Sequence, residues 1–135
     1  MVDISGKYLG QKRVELTHGP SQSKIQTDAP VDNNGKGELF SPTDLVASAL
    51  GTCMLTVMGI FAESRNLSLE GSYFKLKKIM GTNPRRIVEL PLEIHLPQKL
   101  ENEIREKLMA IGDTCPVRNS IHSDIKVEIN YLFDI

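Results

Sequence analysis

The sequence predicts one α+β domain, residues 1–135, in which antiparallel sheets enclose a buried central helix. The hydrophobic periodicity runs in the order strands, helix, hairpin, helix, strand, with no β-α-β repeat. Residues 45–62 carry no charge, which marks the helix that the other elements should cover. A chain of 135 residues with 40% hydrophobic and 24% charged residues is ordinary for a single soluble domain.

The first part of the chain predicts a meander of two or three strands within residues 4–28. Val14 and Leu16 alternate with polar neighbours, and Ile25 lies on the returning strand. Residues 29–40 are rich in Pro, Asn and Gly and show no periodicity, so we expect a loop there. The NNGKG segment within this loop is a candidate phosphate-binding loop. It lacks the Walker spacing, however, so a plain connection is favoured.

The central helix should begin at a well-defined cap. Ser41 stands at the capping position, Pro42 at the first helical position, and the Asp44 carboxylate can reach back to free amides. Apolar residues surround the axis, so we expect burial on most sides. The few other elements of so short a chain cannot easily cover such a helix, and this favours a second subunit.

An uncharged run of this length is also the lower limit for crossing a bilayer. Asp44 and Glu63 flank it instead of lysines, and no second span follows. Small and polar residues also lower its hydrophobicity, namely Ser48, Gly51, Thr52, Thr56 and Gly59. A core helix is therefore the preferred interpretation, with no membrane partner.

After the helix, alternation over residues 67–80 and 85–96 around a turn at 81–84 predicts an antiparallel hairpin with long arms. Pro91 indicates an edge strand or a bulge. Residues 98–112 return to helical spacing with one charged face, which predicts a surface helix. A short helix near Cys115 and a strand over residues 124–133 complete the chain.

Composition limits the functional classes. The net charge is −1 and the basic residues are scattered, so a nucleic-acid partner is not expected. Met1 leads into a polar segment without a signal peptide, which favours the cytoplasm. In that compartment two cysteines are more often reactive, ligating or buried than joined in a structural disulfide.

The two cysteines differ in their predicted surroundings. Cys115 precedes a proline that should open a helix, and the helix dipole there favours a thiolate. Cys53 lies in mid-helix, where burial alone would make it inert, so it needs a cationic neighbour. The candidates are Arg13, Arg118, His18, His95 and His122.

Interpretations of the cysteines without redox chemistry also stay open. One could be a buried hydrophobic residue and the other a helix cap. A zinc site is weaker, because no closely spaced Cys or His pairs are present.

The segment SPTDLVASALGTCM (41–54), followed later by CPVRNSI (115–121), resembles the paired cysteine motifs of the OsmC/Ohr family, the osmotically induced and organic hydroperoxide resistance proteins. The likeness covers nearly the whole chain. It implies an OsmC-like α+β fold and an intertwined homodimer with sites near the dimer interface. It also implies reduction of organic hydroperoxides by two cysteines.

The resemblance also assigns roles to residues. By position it makes Cys53 the attacking cysteine and Cys115 the resolving one, which overrides the dipole argument. In the best-studied branch a glutamate after the helix-opening proline pairs with an arginine from the opening strands. Here Thr43 takes the glutamate position, Asp44 follows it, and Arg13 stands near the expected arginine. Arg13 and Asp44 therefore complete the predicted site.

The implied activity is a thiol-dependent peroxidase in oxidative or osmotic stress defence. Its substrate would be a small organic hydroperoxide, favoured by an apolar wall that includes Met54, Val57 and Met58. An external thiol or dithiol would reduce the enzyme, with no cofactor and no metal. The alternative is a non-catalytic member that binds a small apolar ligand or senses oxidants. Turnover of hydroperoxide distinguishes the two.

Overall fold

The computed structural model describes all residues from Met1 to Ile135. It divides into two compact units, Met1–Val46 and Ala47–Ile135. The division falls inside the first α-helix, so one continuous element belongs to both units. The assignment of residues 1–135 to one domain stays a prediction. The α+β class is confirmed.

The N-terminal unit contains the predicted meander, with three strands. They are β1 (Ile4–Gly10), β2 (Arg13–His18) and β3 (Lys24–Thr27), paired antiparallel in the order β1-β2-β3. Leu16 pairs with Ile25 across β2 and β3, as their alternation indicated. The predicted loop that follows contains one short 3₁₀ helix, Val31–Asn33.

Helix α1 (Pro42–Ser64) begins where the sequence predicts, through a reciprocal pair of hydrogen bonds. The Asp44 amide donates to Ser41 Oγ at 3.1 Å. The Ser41 amide donates to the Asp44 carboxylate at 2.9 Å. Each side chain thus satisfies an amide that the first helical turn leaves without an intrahelical acceptor, which is the geometry of a capping box.

The burial of α1 differs from the prediction. Its buried residues form a single stripe: Ala47, Leu50, Gly51, Met54, Met58 and Ala62. Val46 is 41% exposed and Ile60 64% exposed, and Thr52 and Thr56 are exposed with them. The expectation of burial on most sides is therefore wrong for the single chain. By length and composition alone α1 could cross a bilayer, a test that the core helix of a soluble protein also passes.

The C-terminal unit is built on a second sheet with β6 (Arg86–Leu96) as its central strand. Two short strands, β4 (Tyr73–Leu76) and β5 (Ile79–Gly81), pair antiparallel with β6 and together form the arm of the predicted hairpin. The last strand, β7 (Lys126–Phe133), pairs with β6 in parallel. The prediction of purely antiparallel sheets is therefore wrong. Because the helices between β6 and β7 return the chain to the same end, one β-α-β crossover exists.

Pro91 does not lie on an edge strand, since β6 is bordered on both sides. It lies instead opposite the break between β4 and β5, where the Lys77 amide donates to the Pro91 carbonyl at 3.0 Å. The register of β5 against β6 is also irregular nearby. The missing N–H of proline is thus accommodated by a discontinuity in the neighbouring strand.

Two helices connect β6 to β7. Helix α2 (Asn102–Gly112) starts four residues later than the spacing suggested, and α3 (Pro116–Ser120) follows almost at once. The core of this unit joins the buried stripe of α1 to the inner face of β6. Its fully covered members include Leu50, Met54, Met58, Leu90, Ile94, Leu96 and Leu108. Packing of a helix on a sheet in this way fixes the midpoint of α1, where Cys53 lies.

Candidate active site

Cys115 is the N-cap residue of α3 and is completely buried. The Arg118 amide donates a hydrogen bond to Cys115 Sγ at 3.3 Å. The Cys115 amide donates to the Gly112 carbonyl at 3.2 Å, so the backbone on the α2 side is fixed as well. The predicted capping position of this thiol is confirmed.

Burial raises the pKa of the Cys115 thiol above its ordinary value. The hydrogen bond from the Arg118 amide works in the opposite direction, and the neighbouring Cys53 thiol raises the pKa of Cys115 further. The expectation that the helix dipole makes this group a thiolate is therefore wrong. A helix of only five residues has a weak dipole, and the removal of the sulfur from water outweighs it.

Cys53 lies at the midpoint of α1 and is partly exposed. Its side chain packs beside the apolar core of the C-terminal unit, next to the fully buried Met54. Of the predicted apolar wall, Met58 is also fully buried and Val57 is partly buried. Both cysteines are free thiols, and α1 and α3 place the Cys53 side chain within hydrogen-bonding reach of Cys115.

A polar cluster adjoins Cys115. Arg118, a predicted candidate for activating Cys53, places its guanidinium Nη1 at 2.6 Å from Asp113 Oδ1. The Tyr131 hydroxyl lies 3.1 Å from the same oxygen. Sequence reasoning missed Asp113 and Tyr131, because they are 18 residues apart in the chain and only the parallel pairing of β7 with β6 brings Tyr131 back to Asp113.

Arg13 has acidic partners that the sequence did not single out. Its guanidinium Nη2 lies 2.9 Å from Glu38 Oε2 and 3.2 Å from Asp28 Oδ2, all within the N-terminal unit. The hydrogen bond to Glu38 and then that to Asp28 raise the pKa of Arg13. The Asp28 side chain is fully buried. Burial opposes its ionisation, but hydrogen bonds from the Glu38 amide and from Arg13 leave the pKa of Asp28 below its usual value.

Asp44 serves the first turn of α1 through its bond to the Ser41 amide. This contact accounts for its capping role. Its suggested second role, orienting an activating arginine, stays a prediction.

Each of the three histidines has a hydrogen-bond or ion-pair partner of its own. His18 Nδ1 lies 2.6 Å from Ser21 Oγ, and His122 Nδ1 lies 3.8 Å from Asp124. His95 is 5% exposed, stacks on the Tyr73 ring and lies 2.9 Å from the Asp134 carboxylate. No group of three or more His, Cys, Asp and Glu side chains is arranged to hold a metal ion.

The mixed α+β fold and its pair of neighbouring free thiols define a known class of proteins. The family model of OsmC-like proteins matches residues 35–130, a span that includes both cysteines. The chain therefore belongs to the OsmC-like protein family, and the resemblance seen in its motifs is confirmed.

Individual relatives agree with this assignment. A hydroperoxide reductase of Mycoplasma pneumoniae is 27% identical over 123 residues, 85% of each chain. The crystal structure of a candidate osmotic stress induced and detoxification response protein from Psychrobacter arcticus is 40% identical, with a TM-score of 0.92 over 97% of this chain and 96% of that one. An organic hydroperoxide resistance protein OsmC from Legionella pneumophila is 19% identical with a TM-score of 0.72, over 98% and 96% of the two chains. At that identity the likeness concerns the fold alone.

Proposed function

We propose that this protein is a thiol-dependent peroxidase that reduces organic hydroperoxides, with Cys53 attacking and Cys115 resolving. Membership in the OsmC-like family and the similarity to a protein named hydroperoxide reductase support the proposal. The observation that carries it is the pairing of a partly exposed thiol with a buried, capped one that interacts with it.

The burial of the two thiols favours this division of roles. A raised pKa keeps Cys115 protonated at neutral pH, and a protonated thiol is a poor nucleophile toward peroxide. Cys53 is the more accessible sulfur and lies beside an apolar core. Cys115 is held close by, which suits a group that reacts only after Cys53 has been oxidised.

The reaction has three balanced steps. The Cys53 thiolate attacks the distal oxygen of the hydroperoxide, the O–O bond breaks, and the alkoxide leaves as an alcohol after taking a proton. The Cys115 sulfur then displaces the oxygen of the Cys53 sulfenic acid, so that a disulfide forms and water leaves. An external dithiol returns both cysteines to thiols and is itself oxidised to a disulfide.

The remaining parts of the proposal concern substrate and assembly. The apolar residues around Cys53, with Met54 and Val57 among them, favour an organic hydroperoxide over hydrogen peroxide. The exposed side of α1, which includes Ile60, would be covered by a second copy in a homodimer. Arg13 is the proposed cation that activates Cys53, and Asp44 is the carboxylate proposed to orient this arginine.

Consumption of cumene hydroperoxide in the presence of dithiothreitol tests the proposal. Wild-type protein should turn over, and Cys53→Ser should abolish both turnover and disulfide formation. Cys115→Ser should react once and then accumulate sulfenic or over-oxidised Cys53, because its resolving partner is missing. Mass spectrometry of the peroxide-treated variants identifies the oxidised residue.

Two results would contradict the proposal. If Cys115→Ser leaves Cys53 unmodified while Cys53→Ser is readily oxidised at Cys115, the two roles are reversed. If the wild type forms the disulfide but never turns over with several dithiols, the oxidant-sensing alternative is the better account.

A further inference from the structure

Asp113 joins three separate elements of the C-terminal unit. It is the C-cap residue of α2, and its amide donates to the Met109 carbonyl. Its Oδ1 atom accepts a hydrogen bond from Arg118 of α3 at 2.6 Å and lies 3.1 Å from the Tyr131 hydroxyl of β7, which shares its single proton between this oxygen and the Met109 carbonyl at 3.2 Å. One carboxylate oxygen therefore ties α3 and β7 to the end of α2.

The same residues lead directly to Cys115. Arg118 binds Asp113 through its guanidinium and donates its amide to Cys115 Sγ at 3.3 Å. Asp113 lies only two residues before Cys115 in the chain. A shift of Asp113 would therefore move the backbone on one side of the sulfur and the hydrogen-bond donor on the other.

The side chains around Gly112, the residue before Asp113, are tightly packed. Gly112 is buried, and a Cβ atom there would collide with the terminal methyl of Met58 and lie 3.1 Å from the Tyr131 hydroxyl. Tyr131 is thus held against the end of α2. Burial and the charge of Asp113 raise the pKa of Tyr131, so its hydroxyl remains a donor throughout the neutral range.

Stability alone gives little reason for this arrangement. The Arg118 and Asp113 side chains are 34% and 51% exposed, and ion pairs this exposed contribute little to folding. A carboxylate fixed by two donors, however, defines a position well, because each donor restricts it in a different direction. Here the fixed carboxylate lies two residues before Cys115 and shares Arg118 with its sulfur.

We propose that Asp113 is a positioning residue for Cys115, and that Arg118 and Tyr131 hold it so that the sulfur meets Cys53 in the disulfide-forming step. The inference rests on the proposed function for its role in peroxide reduction. The step it governs forms the S–S bond, breaks the S–O bond of the sulfenic acid and releases water with the Cys115 proton. The preceding attack of Cys53 on peroxide does not depend on Asp113.

Asp113→Asn tests the inference, because it keeps the shape of the side chain and removes its charge. After a single addition of cumene hydroperoxide, sulfenic acid trapped by dimedone at Cys53 should form at the wild-type rate. Disulfide formation should slow by about tenfold, the size expected when a charge-assisted hydrogen bond that orients a reacting group is lost. Over-oxidation of Cys53 to the sulfinic acid should rise in proportion.

A second arm removes the peroxide step. Diamide takes two electrons and two protons from a pair of thiols, so it closes the Cys53–Cys115 disulfide without a sulfenic acid. Asp113→Asn should again close about tenfold more slowly than the wild type. This arm separates the two proposals: a wild type inert to hydroperoxide refutes the peroxidase function, while slow closure with diamide still supports the positioning role.

Matched variants guard against a general loss of structure. Tyr131→Phe removes only the hydroxyl and should slow disulfide closure in the same direction, whereas Asp113→Glu should restore part of the rate. Glu103→Gln, which breaks the exposed 2.6 Å pair with Lys107 on the same helix α2, should leave closure unchanged. If Asp113→Asn and Tyr131→Phe both close as fast as the wild type with diamide, the inference is overturned.

Discussion

Gly51 allows α1 to approach the sheet of the C-terminal unit, and its replacement by alanine provides a quantitative test of that packing. A Cβ atom at Gly51 would lie 2.5 to 2.7 Å from three ring atoms of Phe74 on β4. Carbon atoms in contact normally lie about 3.5 to 4.0 Å apart, so the ring or the helix must move. Extra volume of this kind in a packed core costs about 1 to 3 kcal/mol.

Gly59, two turns further along α1, is the matched control because a Cβ atom there meets nothing within 4 Å. Alanine is favoured over glycine inside a helix by about 1 kcal/mol at either position. We therefore expect Gly59→Ala to stabilise the protein by about 1 kcal/mol. Gly51→Ala should lower its stability by about 1 kcal/mol, the difference between the propensity gain and the packing cost. The gap between the two variants isolates the packing cost at about 2 kcal/mol.

Urea unfolding at one fixed protein concentration measures these differences, since association would make stability depend on concentration. Adding Phe74→Leu to Gly51→Ala should recover part of the loss, because the smaller side chain leaves room for the methyl group. Equal stability of Gly51→Ala and Gly59→Ala would refute the packing argument.

Three further predictions concern association, capping and acid stability. Because Ile60 is 64% exposed on α1, sedimentation at micromolar concentration should show a dimer, and a stable monomer would contradict the proposed assembly. Asp44→Ala should cost about 1 kcal/mol, since the amide of Ser41 loses its acceptor; full peroxidase activity of Asp44→Asn would exclude a role for the charge in activation. The pKa of Asp28 is lowered in the folded protein, so its stabilising effect is complete above its unfolded pKa and is lost as pH falls through its folded pKa. The stability of Asp28→Asn should therefore depend less on pH in the acid range than that of the wild type, and identical acid profiles in urea titrations would exclude the linkage.

Local features of the fold could be predicted from the sequence because they depend on residues close together in the chain. The cap of α1 needs only Ser41 and Asp44, three residues apart, and the N-cap of α3 needs only Cys115 and the proline after it. The meander of the N-terminal unit likewise followed from alternation and turn residues. The family followed from two short motifs around the cysteines, which the match over residues 35–130 confirms.

Other features depend on how distant segments meet. Alternation in β7 shows that one face is buried, but it carries no information on direction, so the parallel pairing with β6 required the tertiary structure. Arg13 binds Asp28 and Glu38, which are 15 and 25 residues away, because the loop before α1 folds back on β2.

Cys115 shows most clearly which properties depend on neighbouring residues and which depend on the tertiary structure. From the sequence alone, its place before Pro116 determines that its sulfur caps a helix, and the dipole there argues for a thiolate. Only the tertiary structure decides that this sulfur is fully buried beside Cys53, and that Tyr131 and Arg118 meet at Asp113 next to it. Burial depends on every segment that packs around an atom, so a short stretch of sequence does not reveal it. In Cys115 its effect on the pKa outweighs that of the helix dipole, which the sequence does indicate.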